Sequence, residues 1–466
     1  MSRSFDLMLL NLVYLVLGVL LLPWVAWRRV AGRRPVLAPW TRFTGAVSRL
    51  PRDHSGVGPS THKPTPRIWL HGVSVGEVQL LWLLWQEIAK QAQADGLSME
   101  CVVSSSTTTG LALATRRFGE SRVFACPLDF TWAVNRVLDR MDPDMLVLGE
   151  LELWPNLLFA ASHRGVAIVV ANARMSERSA RGYGRIRPLV QGMLKKVSLV
   201  LARSQDDADR FTQLGATNVI VTGSMKFDGV HATRQSAEVA RLRTLAGIET
   251  KADGTPESHT IFLAGSTQAP EEQLAIKTFL ALTHDYPTLR LVLVPRHVER
   301  CGDIGGWLDR TGLRWQRRSR LEQEGADPQA RVLLVDTTGE LAWWWGTASI
   351  AFVGGSLDGR RGGQNMLEPA AYGAAICFGP FTRNFQAEVA VLQAANAAEI
   401  VTNGDDLLAF VARCLAEPQW AHGLGQRAAK AVAAHRGATA DSAARILGQL
   451  PSGRTGYSSC RIPPTS

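Results

Sequence analysis

Short apolar runs rich in β-branched residues alternate along this chain with longer amphipathic stretches. That alternation restricts it to βα units built around a parallel sheet. In the first half the runs fall at residues 68–72, 100–104, 123–125, 145–148, 166–170, 199–202 and 219–221, and helices are predicted between them, for example over 77–91 and 205–214. The rhythm breaks at residues 229–258, where a helical stretch at 237–245 gives way to Lys251-Ala252-Asp253-Gly254-Thr255-Pro256, the composition of a linker. It then restarts, with strands predicted at 260–264, 289–294, 332–335, 350–353 and 375–378 and helices at 270–284, 339–345 and 366–372. Residues 404–449 read as wholly helical, and the tail at 451–466 as disordered. The expected architecture is α/β: two Rossmann-like domains, at 41–228 and 259–450, with a cleft between them.

The amino terminus adds a second constraint. Residues 7–27 contain no charged side chain, and Asn11 is their one strongly polar residue. Twenty-one helical residues reach about 31 Å, enough for the hydrocarbon core of a bilayer. Trp24 and Trp27 close the run and Arg28, Arg29, Arg33 and Arg34 follow it, which places the rest of the chain on the cytoplasmic side. A cleaved signal would carry its charges before the apolar run and a small-residue site after it. Residues 1–40 are therefore expected to be an uncleaved anchor with a basic juxtamembrane segment. A helix lying partly in the membrane around Pro23 is the other arrangement the run allows.

The formal charge of +10 favours anionic partners: membranes, phosphorylated substrates or nucleic acid. A nucleic-acid binder should show a basic stripe with interleaved aromatics, and no predicted helix carries one, so no nucleic-acid partner is expected. The six cysteines are scattered without metal-ligand spacing and read as small buried hydrophobes of a reducing compartment. No metal and no cofactor is expected.

In parallel sheets ligands bind beyond the carboxyl ends of the strands, so the residues after each strand are the candidates. The first strand is followed by His71-Gly72-Val73-Ser74-Val75-Gly76-Glu77 at a helix start. Glu77 there is a candidate for chemistry, and with Ser74 it equally matches a capping box. The fourth is followed by Gly149-Glu150-Leu151-Glu152-Leu153-Trp154-Pro155-Asn156, two carboxylates before a Pro-started helix. The fifth leads into Asn172-Ala173-Arg174-Met175-Ser176-Glu177-Arg178-Ser179, whose arginines suit an anion and otherwise belong to a solvated loop. In the second half, Gly265-Ser266-Thr267 and Gly354-Gly355-Ser356 could offer backbone amides to phosphate. Pro295-Arg296-His297 supplies a cation, Asp336-Thr337-Thr338-Gly339-Glu340 opens a helix, and Gln364-Asn365-Met366-Leu367-Glu368-Pro369 carries a carboxylate suited to a ribose hydroxyl.

Taken together these motifs resemble the 3-deoxy-D-manno-oct-2-ulosonic acid (Kdo) transferases of lipopolysaccharide synthesis. The resemblance is carried by Val73-Ser74-Val75-Gly76-Glu77, Glu150 to Asn156, Asn172 to Ser176, Gly223-Ser224-Met225-Lys226-Phe227-Asp228, Pro295-Arg296-His297, Gly339-Glu340 and Asn365 to Glu368, in that order, and extends from the anchor to about residue 400. It implies a GT-B fold, a CMP-Kdo donor, a lipid A precursor as acceptor, the inner membrane as location, and inversion at the anomeric carbon without a metal. It also implies Glu77 as base and Glu150 and Lys226 as transition-state stabilisers. Donor contacts would come from Ser266, Pro295, Arg296, Thr338, Gly339, Glu340, Asn365, Met366, Leu367 and Glu368.

The sequence departs from the family's pattern in places: Gln268 and Gln364 stand where histidines are usual, Met366 replaces a common proline, and Arg360-Arg361 adds charge to its loop. Glutamine hydrogen-bonds but does not titrate near neutrality, so donor affinity or its pH dependence is expected to differ there. Another nucleotide-sugar transferase of the same architecture would keep the second-half loops and lack the Glu150 and Asn172 motifs.

Overall fold

The computed structural model describes residues 10–20, 37–51, 65–230, 233–248 and 259–450. The chain forms two compact units, one of residues 1–229 with 437–466, the other of residues 230–436.

In the first unit, seven parallel strands, β1 (Arg67–His71), β2 (Glu100–Ser105), β3 (Val123–Ala125), β4 (Met145–Gly149), β5 (Ala167–Ala173), β6 (Leu199–Ala202) and β7 (Val219–Val221), lie in the order β3-β2-β1-β4-β5-β6-β7. The central stretches of these strands are apolar because helices cover both faces, and polar residues such as Arg67, His71, Glu100 and Asn172 stand near the strand ends. Alternate residues of β1 serve opposite sides: Trp69 packs with Leu138 and Leu157, whereas Ile68 and Leu70 pack with Val78, Leu81 and Ile446. Ile446 comes from the last helix, Ala438–Leu447, which lies against Val75–Ala94. The Asp228 carboxylate fixes that return by accepting the Gly437 and Thr439 amides, both at 2.6 Å. The helical stretch expected at 404–449 is thus three helices, Gly404–Ala416, Pro418–Ala434 and Ala438–Leu447. Pro418 starts the second, and Gly437 at φ 107° separates the third, which joins the first unit and not the second domain to which the sequence assigns it.

The second unit repeats the plan with β8 (Thr260–Thr267), β9 (Leu289–Pro295), β10 (Trp315–Arg317), β11 (Val332–Leu334), β12 (Ile350–Val353), β13 (Ala375–Phe378) and β14 (Glu399–Ile400), ordered β10-β11-β9-β8-β12-β13-β14. The edge strands β10 and β14 were not expected. They are three and two residues long, with Gln316, Arg317 and Glu399 in place of an apolar run.

The expected membrane-spanning helix falls partly outside the described residues, of which 10–20 are helical. Among the described residues no helix is long and apolar enough to cross a membrane. Residues 7–9 and 21–27 of the expected span lie outside the described residues, as does the tail at 451–466. One side of the helix is given to docking. Asn11 is buried, accepting the Thr131 amide and the Asn156 side-chain amide at 3.2 Å each and donating to Thr131 Oγ1 at 2.7 Å. Tyr14 donates to Asp129 Oδ2 at 3.1 Å. Apart from these two residues the helix leaves Leu12, Val13, Leu15, Val16, Leu17, Val19 and Leu20 exposed.

Candidate functional site

In the first sheet the strand order reverses between β1 and β4, whose register sets His71 opposite Leu148. Loops leaving such a pair diverge to opposite sides and open a crevice. Here they carry Glu77 and the pair Glu150 and Glu152. Two glycines let these loops close up. A Cβ on Gly72 would lie 2.9 Å from Leu81 Cδ1 and 3.1 Å from Glu77 Cβ, and one on Gly149 would lie 3.3 Å from the His71 carbonyl and 3.7 Å from Glu77 Cβ.

Glu77 stands in the first turn of Val75–Ala94. Ser74 Oγ accepts the Glu77 amide at 3.2 Å and donates to Glu77 Oε1 at 2.7 Å, while Oε2 accepts the Val73 amide at 2.8 Å. The capping arrangement is therefore present, and the carboxylate also lies in the crevice. Burial pushes the Glu77 pKa up against the pull of the Val73 and Ser74 hydrogen bonds, and the charge of Glu150 pushes the same way. Glu152 is raised by burial and then by both neighbouring carboxylates, while Trp154 Nε1 donates to its Oε2 at 2.8 Å. Glu150 itself sits at φ 57°, a left-handed conformation costly for a side-chain-bearing residue and characteristic of functional sites.

The helix after this loop, Pro155–His163, is held at its start by Asp129, whose carboxylate accepts the Asn156 amide at 3.0 Å and the Leu157 amide at 2.9 Å. Beneath the loop lies His71, fully buried, with Nδ1 against Ser104 Oγ at 2.8 Å and Nε2 3.9 Å from Glu152 Oε2. Burial holds its pKa at about 4, so the ring is neutral at physiological pH. Asn172 is a second left-handed residue, at φ 52°. Its Oδ1 accepts the Met225 amide at 3.1 Å and so fixes the turn carrying Lys226. Among the described residues, His71 Nε2 and Asn172 Nδ2 are buried without a hydrogen-bond partner. Sequence reasoning gave neither residue a role. Their signal is position alone, a polar residue ending a buried parallel strand.

The second sheet reverses between β8 and β12, where Gly265 pairs with Val353. Ser266, at φ 53°, is the penultimate residue of β8. The expectation that Gly355 and Ser356 offer their amides to a phosphate is corrected. Glu271, buried after β8, accepts the amides of Gln268 at 2.9 Å, Gly355 at 2.7 Å, Ser356 at 3.0 Å and Leu357 at 3.1 Å. An internal carboxylate fills that nest and ties the two loops together. Gly355 has φ 67°, and a Cβ there would lie 3.2 Å from Gln268 Nε2 and 3.3 Å from Gln364 Nε2, so the two glutamines converge on one point.

The remaining candidates in this unit divide. Arg296, following Pro295 at the end of β9, is exposed, and its amide donates to the Thr267 carbonyl at 2.9 Å. Glu340 is engaged internally: Arg318 forks onto it at 2.9 and 2.7 Å, Arg241 reaches it at 3.0 Å and Thr337 Oγ1 at 2.8 Å. These partners hold its pKa below the usual carboxylate range, against the opposing effect of burial. The turn leaves the backbone of Thr338 and Gly339, at φ 89° for the latter, as what it can present. Glu368 accepts Asn365 Nδ2 at 3.0 Å, and burial raises its pKa. Met366 and Leu367 are buried beside it and shape the turn without offering polar atoms of their side chains.

Residues 48–229 match the family described as 3-deoxy-D-manno-octulosonic-acid transferase (kdotransferase). A 3-deoxy-D-manno-octulosonic acid transferase of Haemophilus influenzae is 33% identical over 72% of this chain and 76% of its own. The Bordetella pertussis protein of the same name is 32% identical over 89% and 92%. Among solved structures, the UDP-GlcNAc 2-epimerase of Neisseria meningitidis bound to UDP-GlcNAc covers 82% of this chain and 99% of its own at 12% identity, with a TM-score of 0.53, a likeness of fold alone.

Proposed function

Because this chain belongs to the 3-deoxy-D-manno-octulosonic acid transferases, glycosyltransferases of lipopolysaccharide synthesis, we propose that it moves Kdo from CMP-Kdo onto a lipid A precursor with inversion, Glu77 acting as general base. The observation that supports this most is the strand reversal at β1 and β4, which brings Glu77 and Glu150 to one crevice and lets burial and like charge raise the Glu77 pKa. A carboxylate so raised can take the proton of a sugar hydroxyl as it attacks. The reacting carbon becomes oxocarbenium-like, and Glu150 answers its positive charge. Charge growing on the departing CMP is met by Arg296 and Lys226, with Ser266, the Thr338-Gly339 backbone, Asn365 and Glu368 holding the nucleotide. Glu340 acts through Arg318, shaping that turn. The exposed apolar residues of helix 10–20 rest in the cytoplasmic face of the inner membrane, beside the lipid acceptor.

The test is CMP release by purified protein with and without a lipid A precursor, with the mass of the product. Acceptor-dependent release and a product heavier by Kdo are expected. CMP release indifferent to the acceptor would overturn the reading.

A further inference from the structure

We infer that the helix Glu177–Gly184 presents a phosphate-binding stripe to the acceptor, an inference that rests on the proposed transfer to a phosphorylated lipid. Arg178, Arg181 and Arg185 fall at i, i+3 and i+7, one side of this helix, and all three are exposed. The opposite side supplies Ala180 and Tyr183 to the core of the first unit. Among the described residues no carboxylate pairs with any of the three guanidinium groups.

A solvated face is the plain alternative, and three features argue against it. Like charges at helical spacing repel one another, and although the helix dipole favours cations near the carboxyl end, it opposes Arg178 in the first turn. The stripe therefore carries an electrostatic cost that an anion would relieve. Its place is the second feature. The helix begins three residues after β5, whose Ala171 carbonyl accepts the Glu150 amide at 3.0 Å. The helix that carries the stripe thus starts beside the carboxylate crevice. Its mounting is rigid: the Met175 amide donates to Asp207 Oδ1 at 2.7 Å, Arg210 donates to the Met175 carbonyl at 3.2 Å, and Ser176 Oγ caps the helix through the Ser179 amide at 3.2 Å. Third, exposed Ile186 and Leu189 follow the helix in the chain, so that apolar surface comes after the charged residues, as an amphipathic ligand requires. Arginine forks bind phosphate with two parallel hydrogen bonds, which fits a phosphorylated sugar better than a diffuse charge does.

The experiment compares the parent protein with the triple variant Arg178→Gln, Arg181→Gln, Arg185→Gln in detergent, on a phosphorylated lipid A precursor and on the same lipid dephosphorylated. Exposed positions and an unchanged melting temperature exclude misfolding. The acceptor KM of the variant should rise about tenfold or more on the phosphorylated lipid, with kcat and the donor KM unchanged. On the dephosphorylated lipid parent and variant should converge, because the partner of the stripe is gone. An equal KM shift on both lipids, or none on either, overturns the phosphate assignment while parental transfer leaves the proposed function standing. Normal kinetics in detergent with lost binding to phosphatidylglycerol vesicles overturns it in favour of the membrane surface. A parent that transfers nothing overturns both readings.

Discussion

Glu77→Gln separates the two roles that the Glu77 carboxylate can fill. Its oxygens accept the Val73 amide at 2.8 Å and the Ser74 hydroxyl at 2.7 Å. A glutamine can keep its oxygen on the Val73 amide and turn its NH2 to Ser74 Oγ, so neither contact is abandoned. What is lost is the charge assistance of those bonds, about 1 kcal/mol, partly offset by relief from the charge of Glu150. For domains of this size that corresponds to a melting shift of about 2–4 °C. Removing a general base costs about 10²–10⁴ in rate, a barrier change of roughly 3–5 kcal/mol. The two outcomes do not overlap. The assay is Kdo transfer under saturating donor, with CMP affinity by calorimetry and melting measured on the same preparation. The pH profile adds an independent reading. The base must be ionised, so parental activity should fall as pH drops through a pKa raised above the usual carboxylate range, and the variant should lose that limb. Transfer by the variant within a few-fold of the parent would refute the base assignment and move it to Glu152, the other raised carboxylate.

Arg296→Ala should weaken CMP binding about tenfold or more and Glu368→Ala should weaken it too, whereas Glu340→Ala should chiefly lower stability, by about 1–3 kcal/mol, since it leaves buried Arg318 with Glu322 as its remaining carboxylate. Calorimetry with unchanged CMP affinity in both of the first two variants would displace the donor site. His71 has a folded pKa of about 4 against 6.5 unperturbed, so its contribution is present above pH 6.5 and lost as pH falls through 4, roughly 3 kcal/mol in all. Asp129, raised from 3.8 to about 6, runs the other way, its contribution present below pH 3.8 and lost as pH rises through 6. Comparing denaturation of His71→Asn with the parent cancels the Asp129 term, and an equally steep acid limb in both would show that His71 is not the titrating group. Asn11→Ala leaves the Thr131 amide without its acceptor and should cost about 1–3 kcal/mol by chemical denaturation. An unmoved midpoint would mean that helix 10–20 contributes nothing to the fold.

Most of the parallel strands were legible because they are buried on both sides and so read as apolar runs, as Ile68 to Leu70 and Met145 to Leu148 do. The edge strands β3 and β7 are less buried and were legible from their apolar residues alone, whereas β10 and β14, also at an edge, carry charge and were not. The return of Ala438–Leu447 to the first unit was not legible either. It depends on the Asp228 carboxylate meeting amides more than two hundred residues later in the chain, a contact with no local signature. The amino-terminal run shows a third limit. Apolar composition counted toward a membrane span, while the one polar residue within it, Asn11, holds the helix to the protein.

At the site, sequence position picks out carboxylates at helix starts after strands but does not say which are free to act. Glu77, Glu271 and Glu340 are alike in that respect, yet their surroundings differ. Glu271 accepts four backbone amides and Glu340 accepts two arginines and a threonine, so each is a brace, satisfied by the protein and available for nothing further. Glu77 accepts two hydrogen bonds and faces other carboxylates, so its charge is under-compensated in a buried place. Glu152 accepts one from Trp154 and lies near a neutral histidine. The pKa directions do not follow the donor count: the arginines on Glu340 hold it down, whereas burial raises Glu77 and, against its four amide donors, Glu271 as well. Between carboxylates of equal standing in the sequence, the count of donors each receives is the property that separates chemistry from architecture, and it exists only once the distant residues that supply those donors have been brought in by the fold.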